Sequence, residues 1–135
     1  MLKIIQPEGW DTPKGYSNAV MAEGRMLFIA GQIGWDAQQQ INSDDFIDQV
    51  RQTLENTVTL LKTAGAGPEH VARMTWYITD KKEYLARAKE VGQVYREIMG
   101  RNFPAMAMVQ VSALMEDRAK VEIESTAVIP FEQKA

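Results

Sequence analysis

The sequence contains no cysteine. This absence excludes disulfide bonds, thiolate metal ligands and a cysteine nucleophile, and it agrees with a reducing compartment. The chain also has no apolar run near the roughly 18 residues that a membrane-spanning helix requires. We therefore expect a soluble cytoplasmic protein with no membrane partner.

Histidine is nearly absent as well, because His70 is the only one. A single histidine excludes a multi-histidine metal site and most serine–histidine chemistry. Its position directly after Pro68 and Glu69 is typical of a surface or turn residue. We therefore expect no metal at this side chain and assign it no catalytic role.

Basic charge is not in excess. The chain has 15 Lys and Arg against 18 Asp and Glu, and its isoelectric point is near 5.2. Because the charges are scattered along the sequence, no concentrated positive charge is present to attract the phosphates of a nucleic acid. Nucleic acid is therefore disfavoured as a partner.

Linkers, repeats and low-complexity tracts are also missing. With 135 residues, 45% hydrophobic and 24% charged, the chain has the size and composition of one globular domain. We expect a single domain over residues 1–135.

The first third of the chain predicts strands. Residues 17–22 and 26–33 flank a short turn at Gly24, which predicts a β-hairpin. Residues 26–33 are apolar at both parities, so we expect this strand in the middle of a sheet. Residues 2–5 would add an edge strand.

Two helices are predicted from helical spacing of apolar residues. Ser43 is the expected N-cap of the first helix, which Gly65 ends. Asp80 and Glu83 suggest a capping box for the second, which runs to Gly100. Strands predicted at 71–79, 106–114 and 120–129 complete the order β-β-β-α-β-α-β-β. Since two helices cover one face of such a sheet, the pattern predicts a two-layer α+β fold.

The other face of the sheet is the open question. In the last strand the apolar parity packs under the helices and leaves four residues on the open face: Lys120, Glu122, Glu124 and Thr126. In residues 106–114 either the Met106 parity or the Ala107 parity packs on the helices. If the Ala107 parity does, methionines and glutamates share the open face, and self-association through that face is a reasonable hypothesis.

Several segments in order resemble the Rid (YjgF-type) family of reactive intermediate deaminases. The segments and residues that carry the resemblance are Gly15-Tyr16-Ser17, Ala30-Gly31-Gln32-Ile33, Gln49, Asn56, Phe103-Pro104-Ala105 and Val121-Glu122-Ile123-Glu124. The resemblance implies a chorismate-mutase-like fold, with a mixed β-sheet and two helices on one face. It also implies a homotrimer with three clefts between subunits.

In deaminating members of that family, water hydrolyses an imine or enamine to a ketone or ketoacid and ammonia. The resemblance implies no cofactor and no metal. It carries possible catalytic roles over to Glu122, Tyr16 and Gly31, and it places Ala30, Trp35, Met106 and Met108 in the substrate pocket.

The sequence departs from the family pattern at three positions. The family's carboxylate-binding arginine corresponds to Met106, and a frequent cysteine corresponds to Met108. A charge-assisted hydrogen bond is worth about 1.5 to 3 kcal/mol, so its loss weakens carboxylate binding roughly ten- to a hundredfold. Ala30 likewise stands where the family usually has serine.

Each candidate also has a simpler interpretation. Glu122 is either a base for the attacking water or a solvated strand glutamate like Glu124. Tyr16 either binds a ligand or packs, and Gly31 either admits a ligand to the backbone or forms a bulge. Trp35, with Trp10, either lines an apolar cleft or packs against a neighbouring subunit.

Four arginines are weighed as replacements for the missing anchor, although a surface role is the simpler interpretation for each: Arg51, Arg73, Arg101 and Arg118.

The sequence leaves three alternative functions for this protein. The first is a small-molecule-binding Rid protein with imine or enamine hydrolase activity in an intersubunit cleft. The second is a non-catalytic binding or regulatory trimer that holds an apolar metabolite. The third is ribonuclease activity or translation inhibition, which the acidic balance and single histidine argue against.

Overall fold

A computed structural model describes residues 2–131. In chain order these form β1 (Lys3–Ile5), β2 (Ala19–Met21), β3 (Arg25–Ile33), α1 (Phe46–Thr63), a 3-10 turn (Pro68–His70), β4 (Val71–Ile78), α2 (Lys81–Ala86), α3 (Ala88–Met99), β5 (Ala105–Gln110) and β6 (Val121–Ile129). None of the helices in the described residues is long and apolar enough to cross a membrane.

The main sheet is four-stranded and mixed, in the order β3-β6-β4-β5. β4 and β5 are parallel, and the other two pairings are antiparallel. The helices pack on one face of this sheet, and β1 and β2 form a separate two-stranded sheet. The predicted α+β class and helix-covered single face are confirmed.

The core forms between the sheet and the helices. β6 contributes every second residue to it, including the fully buried Val121, Ile123 and Ala127. α1 contributes Val50 and Leu54, which are also fully buried. The alternation predicted for β6 is confirmed, with Glu122 and Glu124 on the face away from the helices.

The side-chain amides of Gln49 and Asn56, two of the residues that carry the family resemblance, connect α1 to the loops around it. The Gln49 side chain is buried and donates to the carbonyls of Ser43 and Arg118, both at 3.0 Å, and it accepts from the amide of Lys120 at 2.8 Å. Asn56 donates to the carbonyl of Trp35 at 2.8 Å. Because these groups satisfy loop backbone that would otherwise be unpaired, the two amides have a structural role.

The predicted hairpin is wrong. β2 pairs with β1, and β3 pairs with β6, so the two segments belong to different sheets. β3 is also an edge strand instead of a central one, and its Met26 and Phe28 side chains are exposed. Apolar residues at both parities indicated cover on both faces, but within one chain only the Ile29 face is covered.

The helices also begin and divide differently from the prediction. The N-cap of α1 is Asp45, whose carboxylate accepts from the Asp48 amide at 3.1 Å, while Ser43 binds the Asp48 carboxylate. Asp80 caps α2 as expected, but the helix breaks at Arg87, where φ is −114° and ψ is 19°. One predicted helix is therefore two.

Arg87, at the break between α2 and α3, forms an ion pair with the N-cap of α1. Its guanidinium contacts the Asp45 carboxylate at 2.6 Å and the Glu90 carboxylate at 3.0 Å. These hydrogen bonds hold the pKa of both carboxyl groups below their ordinary values. A carboxyl group with a lowered folded-state pKa stabilises the fold above its unfolded-state pKa, and this contribution is lost as pH falls through the folded-state value.

Arg87→Gln should therefore lower the melting temperature by a few degrees at neutral pH. The difference from wild type should shrink below the ordinary Asp45 pKa of 3.8 and vanish at lower pH, because both carboxylates are then protonated. Thermal unfolding at several pH values measures it. Arg101→Gln, which removes an exposed arginine without an ion pair in residues 2–131, is the control. A difference that is constant from neutral to acid pH contradicts this role.

Candidate functional site

A groove of about 610 Å³ lies between β5 and the helices α2 and α3. Its floor is apolar and comes from the sheet, with Trp76 and Ile78 on β4 and Met106 and Met108 on β5. The helices α2 and α3 contribute the opposite wall, which includes Tyr84, Leu85, Ala88, Val91, Gly92 and Tyr95. A groove of this size with few polar groups is typical of a small-molecule site.

Tyr16 reaches this groove because the segment before β2 runs along the outer edge of β5. The Ser17 amide donates to the Pro104 carbonyl at 2.9 Å, and the Ser17 hydroxyl donates to the Phe103 carbonyl. Gly15 has a positive φ of 79°, which a side chain would strain. This turn places Tyr16 at the groove with its side chain partly exposed.

The two methionines settle the parity that the sequence leaves open. Met106 lies beside Met74 and Met108 beside Trp76, and both of these β4 residues are buried under the helices. The methionines therefore face the helix layer, and the alternative in which they share the open face with the glutamates is wrong. Ala107 and Val109 are exposed on the open face instead.

Gly31 and Glu122 meet at a different place, on β3 and β6. A Cβ atom on Gly31 would lie 2.5 Å from Glu122 Oε2, so the carboxylate rests directly against the glycine backbone. The β3 register shifts between Ile29 and Gln32, which puts Gly31 in a bulge. Gly31 therefore lies in a bulge, as the simpler interpretation predicts, and the group that approaches its backbone closely is the Glu122 carboxylate.

Glu122 and Glu124 have the same parity but different surroundings. The Glu124 carboxylate accepts from the Tyr77 hydroxyl at 2.9 Å. This hydrogen bond is the main reason that the Tyr77 pKa is raised, so the phenol stays a donor. Glu122 has no hydrogen-bond or ion-pair partner within residues 2–131 and keeps its carboxylate available.

The candidate residues thus form two groups in one chain. Tyr16, Met106 and Met108 line the groove on the helix side, while Gly31 and Glu122 lie on β3 and β6. β4 alone lies between β6 and β5, and β6 and β4 lie between β3 and β5, so at a strand spacing of about 4.8 Å Glu122 is about 10 Å and Gly31 about 14 Å from β5. Glu122 also points to the opposite face of the sheet from Met106. A molecule of metabolite size does not contact both groups within one chain.

The other two pocket candidates lie outside the groove. Ala30 is exposed on the open face, in a shallow depression with Phe28 and Arg73. Trp35 is half-buried and packs on a small cluster that contains Ile33 and Ile41. In this chain Trp35 therefore contributes packing near the end of β3.

None of the four arginines considered as a replacement anchor lines the groove. Arg51 pairs with Glu97 at 3.0 Å, and Arg118 pairs with Asp44 at 2.9 Å. Arg73 is on the open face, and Arg101 lies near the two-stranded sheet. The cations that line the groove are ones that the sequence analysis missed: Lys14, Lys81 and Arg96.

Burial keeps two tyrosines of the groove neutral. Desolvation raises the pKa of Tyr84 and that of Tyr95. The Tyr95 hydroxyl donates to the Asn102 carbonyl, and its ring stacks on Phe103 at 5.8 Å between centroids. Tyr95 therefore stabilises one end of the groove and has its proton already engaged. In the part of the chain that is described, no cluster of three or more acids or histidines could hold a metal.

Comparison with known proteins agrees with this architecture. The family described as Endoribonuclease L-PSP matches residues 10–129. The chain is 38% identical over 129 residues to a RutC family protein of Pyrococcus horikoshii, an alignment that covers 94% of this chain and 98% of that protein. It is 33% identical over 114 residues to the human 2-iminobutanoate/2-iminopropanoate deaminase, covering 84% of this chain and 79% of that enzyme.

A solved structure extends the likeness to three dimensions. A Rid family protein of unknown function from Yersinia pestis superposes with a TM-score of 0.84 at 31% identity, covering 95% of this chain and 98% of that one. The mixed sheet with helices on one face is thus the chorismate-mutase-like fold of that family. Because the family match spans most of the sequence and the relatives exceed 30% identity, the chain belongs to the Endoribonuclease L-PSP family, also called YjgF or Rid.

Proposed function

We propose that this Rid family protein binds a small molecule in a cleft between subunits of a homotrimer and hydrolyses an imine or enamine there. The observation that carries the proposal is the free carboxylate of Glu122 against the Gly31 backbone, on a chain whose apolar groove lies elsewhere. The names of several relatives, among them the human deaminase, support this chemistry. The single domain over residues 1–135 would act in the cytoplasm.

Assembly would bring the two groups of residues together. Each chain has a groove with Tyr16 and, apart from it, a Gly31–Glu122 pair. The Gly31–Glu122 pair of one subunit could therefore lie against the groove of its neighbour. The open face supports association, because it exposes Phe28 (72%) and Met26 (59%) along the edge strand β3 and Val109 (46%) on the opposite edge strand β5. Large exposed apolar side chains are typical of an interaction surface.

In this cleft Glu122 would act as the general base. Its carboxylate accepts a proton from water while the water oxygen attacks the imine carbon, and the proton then goes to nitrogen. The resulting carbinolamine transfers its hydroxyl proton to nitrogen, the C–N bond breaks as ammonia leaves, and a carbonyl group remains. The balance is one imine and one water to one carbonyl compound and one ammonia, with no redox step.

The second candidate is a binding trimer without catalysis, and Met106 is the observation that favours it. The thioether cannot donate a hydrogen bond to a substrate carboxylate, and with Met108 it makes the groove floor apolar. Ribonuclease activity remains a weaker candidate. The Nδ1 atom of His70 accepts from the Gly67 amide at 3.1 Å, and His70 lies outside the groove.

The trimer makes a prediction about Phe28. Sedimentation of the wild type at micromolar concentration should give the mass of three chains, and Phe28→Asp should give one chain, because a carboxylate on that face is costly to bury. Met21→Asp is the matched control, since Met21 is 62% exposed but lies on the two-stranded sheet. A monomeric wild type rejects the trimer, and a trimeric Phe28→Asp protein rejects this face as its interface.

Hydrolysis makes a prediction about Glu122. Imines generated by an amino-acid oxidase should release ketoacid faster with the protein present, and Glu122→Gln should reduce that acceleration roughly a hundredfold or more, as expected for loss of a general base. Glu124→Gln, on the same strand and parity, should keep most activity. No acceleration by pure wild-type protein removes the hydrolase and leaves the binding trimer.

A further inference from the structure

The groove is lined by positive charge and by no negative charge. Lys14, Lys81 and Arg96 are the ionisable residues of its wall other than tyrosines, and no carboxylate lines it. None of the three has an ion-pair partner among residues 2–131. In a chain whose formal net charge is −3, this groove is a local exception.

Arg96 is the best placed of the three cations. It lies one helical turn after Gly92 on α3, and its side chain folds back over that glycine. A Cβ atom on Gly92 would be 3.2 Å from Arg96 Nη1. Since Gly92 and Arg96 both line the groove, the absence of a side chain at position 92 lets the guanidinium lie along the groove wall. A guanidinium presents planar paired donors that match a carboxylate.

The rest of the groove fits an apolar group. Its floor of Trp76, Ile78, Met106 and Met108 has no charged atom, and Leu85 and Val91 face it from the helices. Methionine side chains adapt to an irregular or aromatic ligand. A volume of about 610 Å³ also exceeds what a two- or three-carbon acid would fill.

We propose that the groove takes carboxylates with a bulky apolar or aromatic body, and that Arg96 binds the carboxylate in place of an arginine at position 106. This rests on the proposed function, because it names the substrate class of the same cleft. Arg96 reaches the ligand carboxylate from α3, whereas an arginine at position 106 would reach it from β5. The apolar body then lies over Met106 and Met108, where an arginine would obstruct it.

Calorimetric titration with three probes tests this assignment on the full chain. Phenylacetate has both the charge and the ring, phenylacetamide has the ring alone, and acetate has the charge alone. Phenylacetate should bind wild type at least tenfold more tightly than either of the others. Arg96→Gln should weaken phenylacetate roughly ten- to a hundredfold and leave phenylacetamide unchanged, because only the charged hydrogen bonds are lost.

Two further variants serve as controls. Arg96→Lys keeps the charge and should restore part of the affinity, while Arg101→Gln removes an arginine outside the groove and should change nothing. Melting temperatures verify that each variant is folded.

Two results overturn the assignment. One is equal affinity for phenylacetate and phenylacetamide with no effect of Arg96→Gln, and the other is no binding of either ring compound. Neither bears on ketoacid release from other imines, so failure of this assignment is distinguishable from failure of the hydrolase.

Discussion

The parallel pairing of β5 with β4 decides what the two faces of the sheet carry. Its register sets Met106 beside Met74 and Met108 beside Trp76, so the methionines turn toward the helices and Ala107 and Val109 turn away. Because α2 and α3 do not cover β5 completely, the methionines become the floor of a groove instead of part of a sealed core. From β5 the open face receives the small or apolar side chains of Ala107 and Val109, in addition to the glutamates of β6.

The same arrangement separates the chemistry within one chain. Glu122 has an available carboxylate but no groove around it, and the groove has cations and apolar walls but no acid. In the proposed trimer, one subunit's edge would lie against another's and bring the two groups together, and the symmetry would repeat this contact to build equal sites. In that cleft, Met106 in place of an arginine would change how a ligand is held without changing where the proposed base lies.

Sequence patterns predicted β6 and α1 well, because the apolar residues of each follow a single period and turn residues mark the ends of each element. They failed where a pattern fits two structures. The apolar residues of β3 at both parities read as a buried central strand, although the second face is exposed in one chain. In β5 both parities are apolar, so only the pairing with β4 decides between them. The resemblance carried proposed roles over to Glu122, Gly31 and Tyr16. No spacing rule pointed to Arg96 as a candidate, because a helix arginine is ordinarily a solvated residue and the empty space beside it depends on Gly92.

The measurement that most directly tests a site shared between subunits is complementation between two inactive variants. Glu122→Gln removes the base, and Ala88→Trp fills the groove from an exposed helix position. Mixed and reassembled in equal amounts, they should recover about a quarter of wild-type imine hydrolysis, since most random trimers then hold one intact site from two different chains. A mixture that reassembles into trimers yet stays as inactive as its two components contradicts the shared site.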